Sequence, residues 1–136
     1  MNTDERKAFT EQATTAINYR NEFTERANNA HANLLGLMNT RAPGSIEERR
    51  LFFKAAAVRE AANAVQAVFD TTPVSTPMDE AILTFKKPVN ELVDTAKAAL
   101  NVYQNHMTAG TADDEIATAE ATIAGYRLML DYLYTR

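Results

Sequence analysis

The strongest constraint in this 136-residue sequence is the spacing of its apolar residues, which recur in steps of three and four. Four segments share this spacing, and a stretch that contains Pro or Gly separates each from the next. Apolar residues at such steps lie along one face of an α-helix. None of the four segments alternates apolar and polar residues with the period of two that indicates a half-buried strand. The sequence therefore predicts an all-α protein.

The starts of the segments carry the residues that favour helix initiation. Ser45 and Thr111 are good N-caps, and each precedes an acidic residue by three positions. Thr76 precedes Pro77, which is well tolerated at the first position of a helix. Acidic residues follow in each first turn, where the helix dipole favours them. We predict one domain over residues 1–136, with helices over about 3–39, 46–70, 78–108 and 112–135.

The connections between these helices suggest how they pack. The short breaks after the first and third helices favour antiparallel hairpins, so we expect an antiparallel, up-down-up-down four-helix bundle. The first helix is the longest, at roughly 55 Å, and should extend beyond its neighbours. Pro88 falls inside the third helix, where it removes the hydrogen bond to the carbonyl of Thr84. A kinked third helix is therefore expected.

The sequence lacks the motifs that most enzymes and metalloproteins need. It contains no Cys, which excludes thiol catalysis, disulfides and Cys-bound metals. Asn28 and Tyr103 stand three residues before His31 and His106, where di-iron bundles have Glu. There is no phosphate-binding loop and no nucleophile elbow. We expect a protein that is not an enzyme and holds no cofactor or metal, with haem on His106 and a methionine as a minor alternative.

Charge and hydropathy narrow the class of partner and the compartment. Fourteen Lys and Arg stand against eighteen Asp and Glu, a net charge of −4, which argues against nucleic-acid binding. No apolar run approaches the roughly 20 residues of a membrane helix, and the first ten residues have no apolar signal core. The expectation is a cytoplasmic protein, or one incorporated into a particle assembled there, with no membrane partner.

The apolar residues that recur in steps of three and four form one core stripe along each predicted helix. The second helix and the end of the fourth carry more apolar residues than these stripes need. Aromatic residues and Met with few charges are typical of the centre of a protein interface. The predicted interface comprises Phe52, Phe53, Leu128, Met129, Tyr132 and Tyr134. Gly125, one turn earlier, would let another backbone approach closely. The sequence therefore favours a protein that acts through protein–protein contacts, with a second copy or another protein as partner. A homo-oligomer is expected, and an adaptor, an assembly subunit or a protein inhibitor, of phage or other mobile-element origin, would fit.

Arg20 is the one charged residue within a core stripe, and it supports an alternative. A buried guanidinium requires a partner, because an unpaired charge in the core costs several kcal/mol. The alternative function is a helical bundle that binds an anion or a small molecule around Arg20, with Tyr103 or Tyr126 nearby. The competing interpretation is that the long side chain reaches the edge of the bundle.

Overall fold

The computed structural model describes residues 2–106 and 112–134, which form four α-helices and contain no strand. The helices are α1 (Thr3–Met38), α2 (Ile46–Thr71), α3 (Met78–His106) and α4 (Asp113–Tyr134). The all-α prediction is confirmed. Each helix begins within one residue of its expected start, whereas the expected ends at residues 108 and 135 lie outside the described residues. In the described ranges, no helix combines the length and apolarity needed to cross a membrane.

Capping side chains fix the starts of the first two helices. The Ser45 hydroxyl accepts a hydrogen bond from the backbone N–H of Glu48, as its position in the sequence predicts. Asn2 caps α1 in the same way and forms a reciprocal capping box with Glu5, which sequence reasoning overlooked. Gly44 has a φ of 78°, a left-handed conformation that glycine adopts without strain, and it turns the chain between α1 and α2. The N-cap expected at Thr111 lies outside the described residues.

The middle of the fold is a close pair formed by α2 and α4. α4 contacts α2 most extensively and α3 next, whereas α1 packs mainly on α2 and touches α4 little. A Cβ atom built on Gly125 would lie 2.6 Å from the carbonyl oxygen of Lys54 and 2.7 Å from Cβ of Ala57. The missing side chain of Gly125 therefore allows the close approach that its position suggested, but the neighbouring backbone belongs to the same chain.

α1 runs antiparallel to α2. Near the start of α1, the side-chain amide of Gln12 donates to the carbonyl of Ser75, just beyond the end of α2. Further along α1, Asn28 accepts a hydrogen bond from Arg59 in the middle of α2. Residues later in α1 thus meet residues earlier in α2, while the full up-down-up-down order stays a prediction.

An aromatic cluster joins all four helices at one end of the bundle. The ring centroids of Phe69 and Phe85 are 4.7 Å apart, those of Phe23 and Phe69 are 5.7 Å apart, and those of Tyr19 and Phe85 are 6.1 Å apart. The hydroxyl of Tyr19 donates to the backbone carbonyl of Leu133, 2.5 Å away in α4. Offset and edge contacts of this kind add to the stability gained by burying the rings. These contacts therefore tie α1, α2 and α3 together at this end of the fold and attach α4 to them.

Candidate functional site: a cleft between α2, α3 and α4

A cleft of about 570 Å³ lies between α2, α3 and α4. Cavities of a few hundred cubic ångströms between the helices of a bundle are of the size that holds small molecules. The exposed ion pair of Arg49 and Asp114, with 3.0 Å between Nη1 and Oδ2, lies in its lining and joins the start of α2 to the start of α4. The cleft therefore reaches solvent beside this pair.

Small side chains on α3 create the space. Leu92, Ala96, Ala99 and Tyr103 lie on one face of α3, and all four are only half-buried. They recur in steps of four, three and four residues, the spacing that predicts a buried face of a helix. They line a cleft instead because α1 packs mainly on α2 and meets α3 only around Phe85, so no fourth helix covers this part of the stripe.

Three aromatic side chains line the cleft, namely Phe53 from α2, Tyr103 from α3 and Tyr126 from α4. Tyr126 is only 6% exposed, and its hydroxyl donates to the carboxylate of Glu60. Burial raises the pKa of Tyr126, and the hydrogen bond and negative charge of Glu60 raise it further. Tyr126 therefore stays a neutral phenol at physiological pH, and its hydrogen bond to Glu60 ties α4 to α2.

The charged groups of the cleft are mostly acidic. Glu60, Asp114 and Glu115 contribute three carboxylates, and Arg49 contributes the one positive charge among the lining residues. Asp114 is paired with Arg49, and Glu60 accepts the Tyr126 hydrogen bond. Oε2 of Glu115, by contrast, is buried without a hydrogen-bond partner in the described part of the chain, and since it has almost no accessible surface it is not presented to the cleft. A buried acceptor without a donor is costly to stability.

The residues predicted as an interface on α4 occupy different environments. Met129 is fully buried, at 0% exposure, so the expectation that it lies at a surface is wrong. It fills the core because α4 packs between α2 and α3. Leu128 and Tyr132 are partly buried against the core, and the guanidinium of Arg26 lies 4.1 Å from the Tyr132 ring centroid. The side chain of Tyr134 lies outside the described part of the chain.

The two phenylalanines predicted as an interface on α2 contact each other but face different ways. Phe52 is 52% exposed, whereas Phe53 is half-buried and lines the cleft. Their rings meet edge to face, with centroids 5.4 Å apart. Shallow hollows flank Phe52, one beside Met38 and the other beside Leu35 and Ala56. Five of the six predicted interface residues have side chains that the structure describes. Of these five, only Phe52 is largely exposed.

Arg20 holds the end of α2. Its guanidinium donates to the carbonyl oxygens of Phe69 at 3.0 Å and Pro73 at 3.4 Å, and it lies 5.4 Å from the ring centroid of Phe85. A cation is favourable there because the last carbonyls of a helix carry partial negative charge. Burial lowers the pKa of Arg20. Arg20 does not line the cleft, so the structure does not bring it together with Tyr103 and Tyr126 as the alternative prediction expected.

The histidines do not form a site in the described residues. Nδ1 of His31 lies 3.2 Å from the guanidinium of Arg59. Burial lowers the pKa of His31, and the positive charge of Arg59 lowers it further. The side chain of His106 is not among those described. Across residues 2–106 and 112–134, no three acidic or histidine side chains are grouped so as to hold a metal ion.

Comparison of the chain with protein-family models, with curated protein sequences and with solved structures finds no match. Function is therefore inferred from the cleft and its lining, together with the exposed surface around Phe52. The cleft offers the more specific chemistry of the two, since its lining combines apolar residues, three aromatic rings and four charged side chains.

Proposed function

We propose that the protein binds a small, largely apolar molecule in the cleft between α2, α3 and α4. The observation that carries this proposal is a space of about 570 Å³ lined by Phe53, Tyr103 and Tyr126 and by small apolar residues of α3. Burying apolar ligand surface there is favourable by about 25 cal/mol per Å². We propose binding and not catalysis, in keeping with the lack of catalytic motifs in the sequence. This function is the small-molecule alternative that the sequence suggested, but the binding site proposed here is the cleft and not the surroundings of Arg20.

Filling the cleft should weaken binding. Replacing Ala99 with Phe places a ring in the space, and we expect it to weaken binding of the neutral dye Nile red at least about tenfold, since a displaced ligand loses its apolar contacts. The matched control is Ala98→Phe, the same change at the neighbouring exposed position, which should leave the affinity unchanged within about twofold. Dye fluorescence measures both, and circular dichroism verifies that both variants are folded.

Equal dye affinity in the two variants would overturn the proposal, because the dye would then occupy an apolar surface elsewhere. If Ala99→Phe fails to fold, the smaller Ala99→Leu serves in its place and should weaken binding to a lesser degree. If folded Ala99→Leu binds Nile red with the affinity of the wild type, the cleft is not the binding site.

A second candidate function is self-association through the Phe52 surface, which comprises Leu35, Met38, Phe52 and Ala56. Phe52 projects between two hollows of about 470 and 440 Å³. In a twofold-symmetric dimer each surface meets a copy of itself, so the ring of one protomer could fill a hollow beside the same ring of its partner. This proposal keeps the expectation that a second copy of the chain is a partner. It replaces the six-residue interface with a smaller one centred on Phe52.

Replacing Phe52 with Glu should dissolve such a dimer. We expect light scattering after size exclusion to give a multiple of 15.1 kDa for the wild type and a single 15.1 kDa chain for Phe52→Glu, because a charge at the contact would be desolvated without a partner. Leu83→Glu is the control, since Leu83 is 65% exposed on α3, and it should keep the wild-type mass. A wild type that is monomeric at every concentration tested would overturn self-association.

We further infer that the helices follow an up-down-up-down order with a kink at Pro88. The antiparallel contacts of α1 with α2 support the order. The pairs Arg49–Asp114 and Glu60–Tyr126 also support it, because they advance in the same direction along α2 and α4. The burial of α3 supports the kink, since its buried residues all precede residue 94 while the later apolar ones are half-buried or exposed. The cytoplasm stays the proposed location.

A further inference from the structure

We propose that a second hollow, on the face of α4 opposite the cleft, binds an anionic head group that carries an apolar chain. This cationic hollow lies between Lys54 of α2, Lys97 of α3 and Arg127 of α4, and its volume is about 560 Å³. It shares no lining residue with the cleft. The inference therefore goes beyond the small-molecule function proposed above and does not depend on it.

The first observation is that three positive charges from three helices converge on one concave surface. Lys54, Lys97 and Arg127 all line the cationic hollow. Within residues 2–106 and 112–134, none of the three forms an ion pair. Like charges gathered around a concave surface repel one another and attract anions from solution. A bound anion would relieve this repulsion and accept charge-assisted hydrogen bonds from the three side chains.

Two carboxylates also line the cationic hollow, and they lie at its two ends. Glu120 and Asp131 are 11 residues apart on α4, a separation of roughly 16 Å along the helix axis. The carbonyl oxygen of Lys54 lies beside Gly125, between these two positions, and Arg127 follows two residues later. Asp131 already interacts with another group. The positive charges therefore enter between the carboxylates, and the head group is placed there.

The second observation is an apolar floor among these charges. Leu100, Ile123 and Leu128 line the same hollow, where Ile123 is buried and the two leucines are half-buried. The methylene stems of Lys and Arg can lie on such a surface while their charges stay at its edge. An inorganic anion would leave the floor in contact with water, whereas an alkyl chain would cover it. The ligand class is therefore an amphiphilic anion, such as an alkyl sulfate, an alkyl phosphate or a fatty acid.

Three probes with one eight-carbon chain, together with an inorganic ion, test this ligand class. Octyl sulfate, 1-octanol and octylammonium share the chain and differ in the head group, while inorganic sulfate lacks the chain. Affinities are measured by NMR titration of the protein near neutral pH, below the concentration at which octyl sulfate forms micelles. We expect octyl sulfate to bind about tenfold more tightly than each of the other three, as a charge-assisted hydrogen bond predicts.

The variant Lys97→Gln removes one positive charge with little change in the length of the side chain. We expect it to lower the affinity for octyl sulfate at least about fivefold and to leave the affinity for 1-octanol unchanged. Lys87→Gln is the matched control, because Lys87 is an exposed lysine of α3 outside the lining of the hollow. It makes the same change in net charge and should keep the affinity of the wild type.

The outcomes separate this proposal from the one made for the cleft. If octyl sulfate binds no more tightly than 1-octanol, or if Lys97→Gln keeps the affinity of the wild type, the anion site is wrong and the function proposed for the cleft stands. Inorganic sulfate that binds as tightly as octyl sulfate would contradict the amphiphilic ligand. Ala99→Phe, which fills the cleft, should leave octyl sulfate binding unchanged. A loss of octyl sulfate binding in Ala99→Phe but not in Lys97→Gln would place the anion in the cleft and overturn the proposal.

Sedimentation with vesicles distinguishes the two sources of such a head group. Phosphatidylglycerol vesicles carry the anionic group in a bilayer, and phosphatidylcholine vesicles are the uncharged control. If the wild type sediments with phosphatidylglycerol and Lys97→Gln does not, the ligand is a membrane lipid. If octyl sulfate binds as expected and neither protein sediments with the vesicles, the ligand is a free amphiphile. Equal sedimentation of both proteins with phosphatidylglycerol would contradict a lipid ligand in this hollow.

Discussion

Truncating Met129 to alanine is expected to lower the free energy of unfolding by about 2–5 kcal/mol, the usual cost of removing a large side chain from a core. Met129 is fully buried and lies on α4, which contacts both α2 and α3. The flexible thioether chain suits an irregular space between helices, and alanine would leave a cavity there. Urea denaturation followed by circular dichroism measures the change.

The same substitution at a half-buried methionine provides the control. Met38 lies at the end of α1 beside a shallow hollow, so Met38→Ala should cost less than about 1 kcal/mol. A comparably small loss for Met129→Ala would contradict its burial. Met129 would then be available for a protein contact, as its sequence context suggests.

The error at Met129 shows what helical periodicity can and cannot predict. Ile123, Tyr126 and Leu133 lie on the stripe of apolar residues spaced by three and four along the fourth helix, and all three are buried. A stripe gives the direction of one buried face, but its width depends on how many helices surround it. α4 packs against two helices, so its buried face is wider than the stripe and includes Met129.

The candidate site shows a second limit. The number of helices and the cap at Ser45 could be predicted because they depend on neighbours in sequence. The partners of Arg20 could not, because they are backbone carbonyls near the end of α2, which carry no sequence signature. The cleft was hidden for a related reason, since Ala96 and Ala99 have core spacing whether or not another helix covers them.

Replacing Gly125 with alanine is expected to lower the free energy of unfolding by about 2 kcal/mol, within the range for overpacked cores. The added Cβ would lie 2.6 Å from the carbonyl oxygen of Lys54 and 2.7 Å from Cβ of Ala57. Neither atom lies at the tip of a flexible side chain, so α2 and α4 must move apart. That displacement outweighs the helix propensity that alanine gains over glycine, about 1 kcal/mol.

Gly36→Ala makes the same chemical change in α1, where a Cβ would have no atom within 4 Å. It should raise the free energy of unfolding by about 0.5 kcal/mol, because alanine reduces the entropy of the unfolded chain. The two variants share this unfolded-state effect, so opposite signs in urea denaturation would isolate the contact between α2 and α4. Stabilisation by both would mean that these helices lie further apart. The cleft bounded by α2, α3 and α4 would then differ in shape, and the positions of Phe53 and Tyr126 on its walls would change with it.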